Sequence, residues 1–200
     1  MTAMNLALFD FDGTITEVPT YPDFVRMAIR PRRKLWAGPL LSPLIVGYRC
    51  GVVSDEYIRK WISRVGFLGE DPARVRRAGE QFAQHTLPGM MRQLALERIA
   101  WHKAQGDRVV VVSASLDAYL EPWCRSLGVE VICTQLEIRN GRMTGRYVDG
   151  DCTREEKSRR VQQRYALDDY EVIYAYGDRE DDRQMLNLAS RRFFCWQEES

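Results

Sequence analysis

The chain reads as an α/β protein: a Rossmann-like parallel sheet sandwiched by helices, with a helical cap inserted after the first strand. Three observations predict this. The apolar run Leu6-Ala7-Leu8-Phe9 is continuous, as in a strand covered on both faces. Residues 22–86 then contain helical patterns and no convincing strand. From Pro88 onward, short apolar strands alternate with amphipathic helices, the rhythm of parallel strands joined by right-handed crossovers.

The elements follow in order. Asp23 to Ile29 predicts a helix, and so does Ser54 to Val65, with Ser54 as N-cap and Tyr57, Ile58, Trp61, Ile62 and Val65 on one face. Asp71-Pro72 opens a further helix through His85, with proline at its first position. Gly89 to Gln105 is helical, and Arg108 to Val112 is a β-branched strand ending at Ser113-Ala114-Ser115. A helix over Leu116 to Leu127 stops at Gly128, and Val129 to Cys133 is a strand. Leu136 to Arg139 and Met143 to Tyr147 form a hairpin around Asn140-Gly141. Arg154 to Tyr165 is helical, Glu171 to Tyr176 is a strand ending at Gly177-Asp178, Asp181 to Ala189 is helical, and Arg192 to Trp196 is the last strand. The expected division is a core of residues 1–16 and 88–200 with a helical cap of 17–87.

Composition narrows the class. Of 200 residues, 45% are hydrophobic and 28% charged, ordinary for a globular protein, and a net charge of +1 gives no field that would favour nucleic acid. The five cysteines form no C-x-x-C pair and are odd in number, and no signal-peptide pattern opens the chain. Both predict a cytoplasmic protein. The histidines, His85 and His102, offer little for zinc.

The chemistry concentrates at strand tips, where open α/β sheets place their sites. Asp10 and Asp12 follow the first strand and, one residue apart, project the same way. Two such carboxylates repel, and a hard cation such as Mg2+ relieves the repulsion. The plainer alternative is a strand running into a polar Asp-Gly-Thr turn. Ser113 ends the second strand, Asp178 ends the strand before Arg179 and Asp182, and Lys157 lies on the helix preceding that strand. Singly, Ser113 reads as a helix cap, Lys157 as part of a solvated charged face, and the acids at 178–182 as a favourable helix N-terminus. Together they make a phosphoryl-transfer constellation.

These residues resemble the haloacid dehalogenase superfamily of phosphohydrolases, in its phosphoserine phosphatase-like branch, over nearly the whole chain. Asp10-Phe11-Asp12-Gly13-Thr14 is similar to its first motif, Val112-Ser113-Ala114-Ser115 to its second, Lys157 to its third, and Gly177-Asp178 with Asp182 to its fourth. The resemblance implies Asp10 as nucleophile forming an aspartyl phosphate and Asp12 as general acid and base. It implies phosphate binding by Ser113, neighbouring backbone at Ala114, and Lys157. Mg2+ is implied on Asp10, the Asp12 carbonyl, Asp178 and Asp182. Arg179 stands where the family often has serine, placing a cation near substrate or the acids. Val18-Pro19-Thr20-Tyr21 stands where phosphoserine phosphatases carry a glutamate, and Ser113-Ala114-Ser115 replaces Ser-Gly-Gly.

Arg30 to Lys34 is a basic cluster, followed by the uncharged stretch Leu35 to Tyr48. Pro39 and Pro43 argue against one regular helix there. The expectation is an apolar cap segment closing over the site; the alternative is an interfacial anchor for lipid phosphate. The expected function is Mg2+-dependent hydrolysis of a small phosphorylated metabolite such as phosphoserine or histidinol phosphate. The alternatives are a lipid phosphate phosphatase of the phosphatidylglycerophosphatase type, a phosphomutase, and a catalytically silent binding domain. Oligomeric state is not legible.

Overall fold

A computed structural model describes residues 4–199. Its centre is β1 (Leu6–Phe9), four residues buried completely, as a continuous apolar run requires. β1 lies between two parallel partners, β2 (Arg108–Leu116) and β5 (Ile173–Gly177). Phe9 pairs with Val111 on one side and Tyr176 on the other. The three strands therefore end level, and residues 10, 112–113 and 177–178 emerge side by side. β3 (Glu130–Arg139) and β4 (Arg142–Val148) extend the sheet beyond β2, and β6 (Arg191–Phe194) and β7 (Gln197–Glu199) beyond β5, in the order β4-β3-β2-β1-β5-β6-β7. β4 and β7 are antiparallel to their neighbours; the others pair parallel.

Four helices, α1 (Tyr21–Ala28), α2 (Pro31–Arg49), α3 (Asp55–Phe67) and α4 (Pro72–His85), follow β1 before the helix that leads into β2. The crossovers of the sheet are α5 (Gln93–Gln105), α6 (Asp117–Leu127), α7 (Glu155–Arg164) and the short α8 (Arg183–Leu186). Local chemistry accounts for their ends. Ser54 Oγ accepts from Tyr57 N at 3.3 Å, Asp71 caps α4 through Ala73 N at 3.0 Å, and Gly128 closes α6 with φ +65°. Residues 89–91, expected at the start of α5, instead belong to a 3-10 turn and to a bridge between Met91 and Thr16, and Arg92 is the N-cap. The expected helix over 181–189 shrinks to a 3-10 turn and α8. β7 was not expected. The turn before it, Cys195-Trp196, has positive φ at both residues without glycine, asparagine or aspartate to signal it.

The period-2 alternation of the strands builds a core on each face. On one face Phe9, Tyr176 and Phe193 stack with centroids 4.3 and 4.7 Å apart. The same cluster continues through Phe24, Phe82 and Tyr119 into α1 and α4. Leu6, Leu8, Val110, Val112 and Val161 fill the other face. The inserted helices are also held by the β3–β4 hairpin, whose Asn140-Gly141 turn has φ +50° and +71°. Met143 exchanges backbone hydrogen bonds with residues 69 and 70: Gly69 N donates to its carbonyl at 2.8 Å, and its own N–H donates to Glu70 O at 3.0 Å. Gly145 lies so close to α3 that a Cβ would sit 2.7 Å from Arg64 O.

α2 corrects the reading of its prolines. The helix runs through Pro39 and Pro43. Pro43 has no N–H for the carbonyl of Pro39, but Ser42 Oγ donates to that carbonyl at 2.8 Å, and the surrounding helix surface is exposed to water. Only Ala37 and Leu41 of α2 are buried, against Val65 of α3. Among the described residues, no helix is long and apolar enough to cross a membrane.

Candidate active site

Asp10 prolongs β1 by one residue, its N–H donating to Tyr176 O at 2.9 Å, and only 5% of it is exposed. Lys157 reaches it from α7. Its Nζ donates to Asp10 Oδ1 and, at 2.6 Å, to Asp182 Oδ1. Lys157 is buried, so the solvated-face alternative for it fails. Asp182 Oδ2 accepts from the backbone of Asp178 and of Arg179, both at 3.1 Å, so the protein engages both of its oxygens. Asp178 Oδ1 accepts from Thr14 Oγ1 at 3.0 Å. Gly13 permits this closeness: φ is +94°, and a Cβ would lie 2.2 Å from Asp178 Oδ2.

Carboxylate oxygens of Asp10, Asp178 and Asp182 lie within 4.8 Å of one another, with one ammonium among them. Burial, then the charge of Asp182, push the Asp10 carboxyl up to about 8 against the pull of Lys157. Burial also raises Asp178, opposed by the Thr14 hydrogen bond. Burial alone would lower Lys157, but Asp10 and Asp182 outweigh it and hold the ammonium charged. An excess of buried oxygen donors over positive charge is the donor set of a hard divalent cation, and these residues fit one.

Asp12 is held differently. Its Oδ1 accepts from Thr20 N and Thr20 Oγ1, each at 2.7 Å, and its Oδ2 from Ser115 Oγ at 2.7 Å. Tyr119 OH donates to Ser115 Oγ at 2.8 Å. One carboxylate thus joins the first strand to the entry of α1 and to the β2 tip. Ser113 is not the cap of α6; its Oγ accepts from Ser115 N at 3.0 Å, within the irregular end of β2.

Asp10, Asp12, Ser113, Ala114, Lys157, Arg179 and Asp182 line one cleft of about 160 Å³. Arg179 is half exposed, with Nε 3.9 Å from Asp178 Oδ2. The far wall comes from the inserted helices. Arg59 of α3 donates to Ala114 O, pairs with Asp151 Oδ2 at 3.5 Å, and lies 4.6 Å over the Tyr21 ring. Asp55 and Tyr48 face the same space. The stretch 35–48 does not close over the site as expected: of its residues, only Tyr48 lines the cleft. Thr20, Ser115, Tyr119 and Arg59 escaped the sequence reading. Arg59 and Ser115 act through partners far along the chain, Thr20 and Tyr119 through partners eight and four positions away that no motif marks, and only Ser115, beside the recognised Ser113, carried a local signal.

Fold and site together define an α/β enzyme whose carboxylates, lysine and hydroxyl converge on one cleft. The family model described as haloacid dehalogenase-like hydrolase matches residues 7–187, and the chain belongs to that family. A histidinol-phosphatase of Neisseria meningitidis is 33% identical over 93% of this chain and 87% of its own. A protein of unknown function from Bordetella pertussis Tohama I superposes with a TM-score of 0.82 at 27% identity, covering 96% of this chain and 90% of that one. A substrate-bound phosphoserine phosphatase shares the fold, with a TM-score of 0.67 at 18% identity over 97% of this chain and 87% of that one.

Proposed function

We propose that the chain is a Mg2+-dependent phosphomonoesterase that works through an aspartyl phosphate on Asp10, with residues 17–87 as the cap over a core of 1–16 and 88–200. The observation that carries this reading is the buried Asp10 at the β1 tip, held by Lys157 beside Asp178 and Asp182 in an open cleft. Asp10 attacks phosphorus and the ester P–O bond breaks, while Asp12 gives a proton to the leaving oxygen. Asp12 then takes a proton from water, whose oxygen attacks phosphorus, freeing phosphate and restoring Asp10. Lys157 and Ser113 take the charge on the phosphoryl oxygens. Asp10 and Asp178, with Asp182 behind them, would hold the cation, which supplies positive charge for the attacking and phosphoryl oxygens.

The cap wall favours a substrate carrying a cation. Arg59 is already paired with Asp151, whereas Asp55 presents a carboxylate to the cleft without an ion-pair partner among the described residues. With the 33% identical histidinol-phosphatase, this supports an amine-bearing monoester such as histidinol phosphate. The cysteines are all free, which supports a cytoplasmic enzyme. Phosphate release is the test, with Mg2+, over p-nitrophenyl phosphate, phosphoserine, histidinol phosphate, sugar phosphates and phosphatidylglycerophosphate. Release that needs Mg2+ and vanishes in Asp10→Asn is expected, with histidinol phosphate ahead of phosphoserine. Undiminished release in Asp10→Asn overturns the mechanism.

A further inference from the structure

We infer that the outward face of α2 is a docking surface for an anionic phospholipid bilayer. Residues 35–48 hold no charge, and the helix is apolar on opposite sides. Such a helix is normally covered on both. Here Ala37 and Leu41 pack against α3, while the opposite side faces solvent. Leu35, Trp36, Leu40 and Val46 are 78%, 53%, 58% and 59% exposed, and Pro39 and Pro43 lie exposed among them. Their spacing, i, i+1, i+4, i+5, i+8 and i+11, puts them on a single helical face. Val52, in the loop after α2, adds a further exposed apolar side chain. A contiguous apolar surface of this kind marks an interaction site.

Charge selects the occupant. From 24 to 54 there is no acidic residue, while Arg26, Arg30, Arg32, Arg33, Lys34 and Arg49 fall in that stretch of a chain whose net charge is only +1. Arg30 and Arg33 are committed to Glu70, and Arg26 to Asp23. Arg32, Lys34 and Arg49 flank the apolar face at both ends without a carboxylate partner among the described residues. A second copy docked face to face would bring these cations against their counterparts with no acid to separate them. An anionic headgroup layer satisfies the cations while the apolar side chains enter the acyl boundary. The helix lies on the bilayer, because it is not apolar enough to cross. The inference does not rest on the catalytic reading.

The test is flotation of the purified chain with phosphatidylcholine vesicles, with and without about one-third phosphatidylglycerol, and sedimentation of the free chain. Each unpaired cation contributes about five-fold to partitioning onto the anionic surface. The expected result is flotation that depends on phosphatidylglycerol and falls in roughly 0.5 M salt. It is lost in Leu35→Ser/Trp36→Ser/Leu40→Ser and weakened by ~10-fold or more in Arg32→Glu/Lys34→Glu. All five positions altered in these variants are exposed, so unchanged circular dichroism is expected of each. Three results overturn the inference: no flotation of the unaltered chain at low salt, flotation unaffected by the triple substitution, or a dimer that the triple substitution dissociates. The last assigns the face to a second copy.

Discussion

Replacing Lys157 with methionine isolates what holds the centre of the site. The ammonium donates to Asp10 and, at 2.6 Å, to Asp182, and all three side chains are less than a tenth exposed. Lys157→Met keeps most of the volume and removes the charge. Two carboxylates are then left buried without a counter-charge. Deleting one partner of a buried ion pair costs about 3–5 kcal/mol. In a domain of this size each kcal/mol moves Tm by about 2–4 °C. The metal-free variant should therefore melt about 6–20 °C below the unaltered protein at neutral pH. Asp10→Asn removes one of the stranded carboxylates, so the same lysine substitution in that background should cost less, by about 1–3 kcal/mol. Mg2+ supplies charge to the same oxygens and should recover part of the loss in Lys157→Met. Thermal melts by circular dichroism on the four proteins of the cycle, with chelator and with Mg2+, decide the matter. A metal-free Tm for Lys157→Met within about 2 °C of the unaltered protein, a change of about 1 kcal/mol or less, would refute the claim that this ammonium neutralises the pair.

Three further outcomes follow from the geometry. Ser115→Ala and Thr20→Val each remove a hydroxyl donor from Asp12, so kcat should fall by about 10–100-fold with KM little changed, in steady-state assays with p-nitrophenyl phosphate. Gly13→Ala forces a Cβ onto Asp178 at φ +94°, so stability should drop by about 1–3 kcal/mol, and Mg2+ affinity, read by activity titration, by about 10-fold or more. His102 is buried between Asp107 and the Tyr176 hydroxyl, and burial lowers its pKa despite the carboxylate. The unfolded chain therefore binds this proton more readily than the folded one, so this group's contribution is present above pH 6.5 and is lost as pH falls below that value. Melts from pH 7.5 to about 5.5 should show a smaller decline in His102→Gln than in the unaltered protein.

The parts of the fold legible in the sequence are those whose signal is local. Ser54, Asp71-Pro72, Gly128 and Asn140-Gly141 each fix a boundary by chemistry within a few residues, and each stands where expected. The strand tips were equally legible, because an apolar run that ends in carboxylates states its own conflict between burial and charge. What was hidden depends on how the chain folds back. Ser115 meets Asp12 only because β2 returns to the β1 tip, and Thr20, eight positions from Asp12, only because the chain turns back there at the start of α1. The partner of Arg59, Asp151, lies 92 positions further on (151 − 59) and carries no motif. α2 misled for a different reason: a proline's lost hydrogen bond is fatal to a helix only where nothing else reaches the carbonyl, and Ser42 does.

The contact between Gly145 and α3 bears on how this protein can be re-engineered. The backbone of β4 stands against that of Ser63 and Arg64 too closely for any side chain at position 145, and Met143 pairs with residues 69 and 70 as a neighbouring strand would. The helical insertion and the β3–β4 hairpin, separated by some sixty residues of sheet and crossover between α4 and Met143, are complementary halves of one module. A chimaera that exchanges residues 17–87 for the insertion of a relative inherits half of that joint, so transplanting a new specificity requires moving the hairpin with the helices.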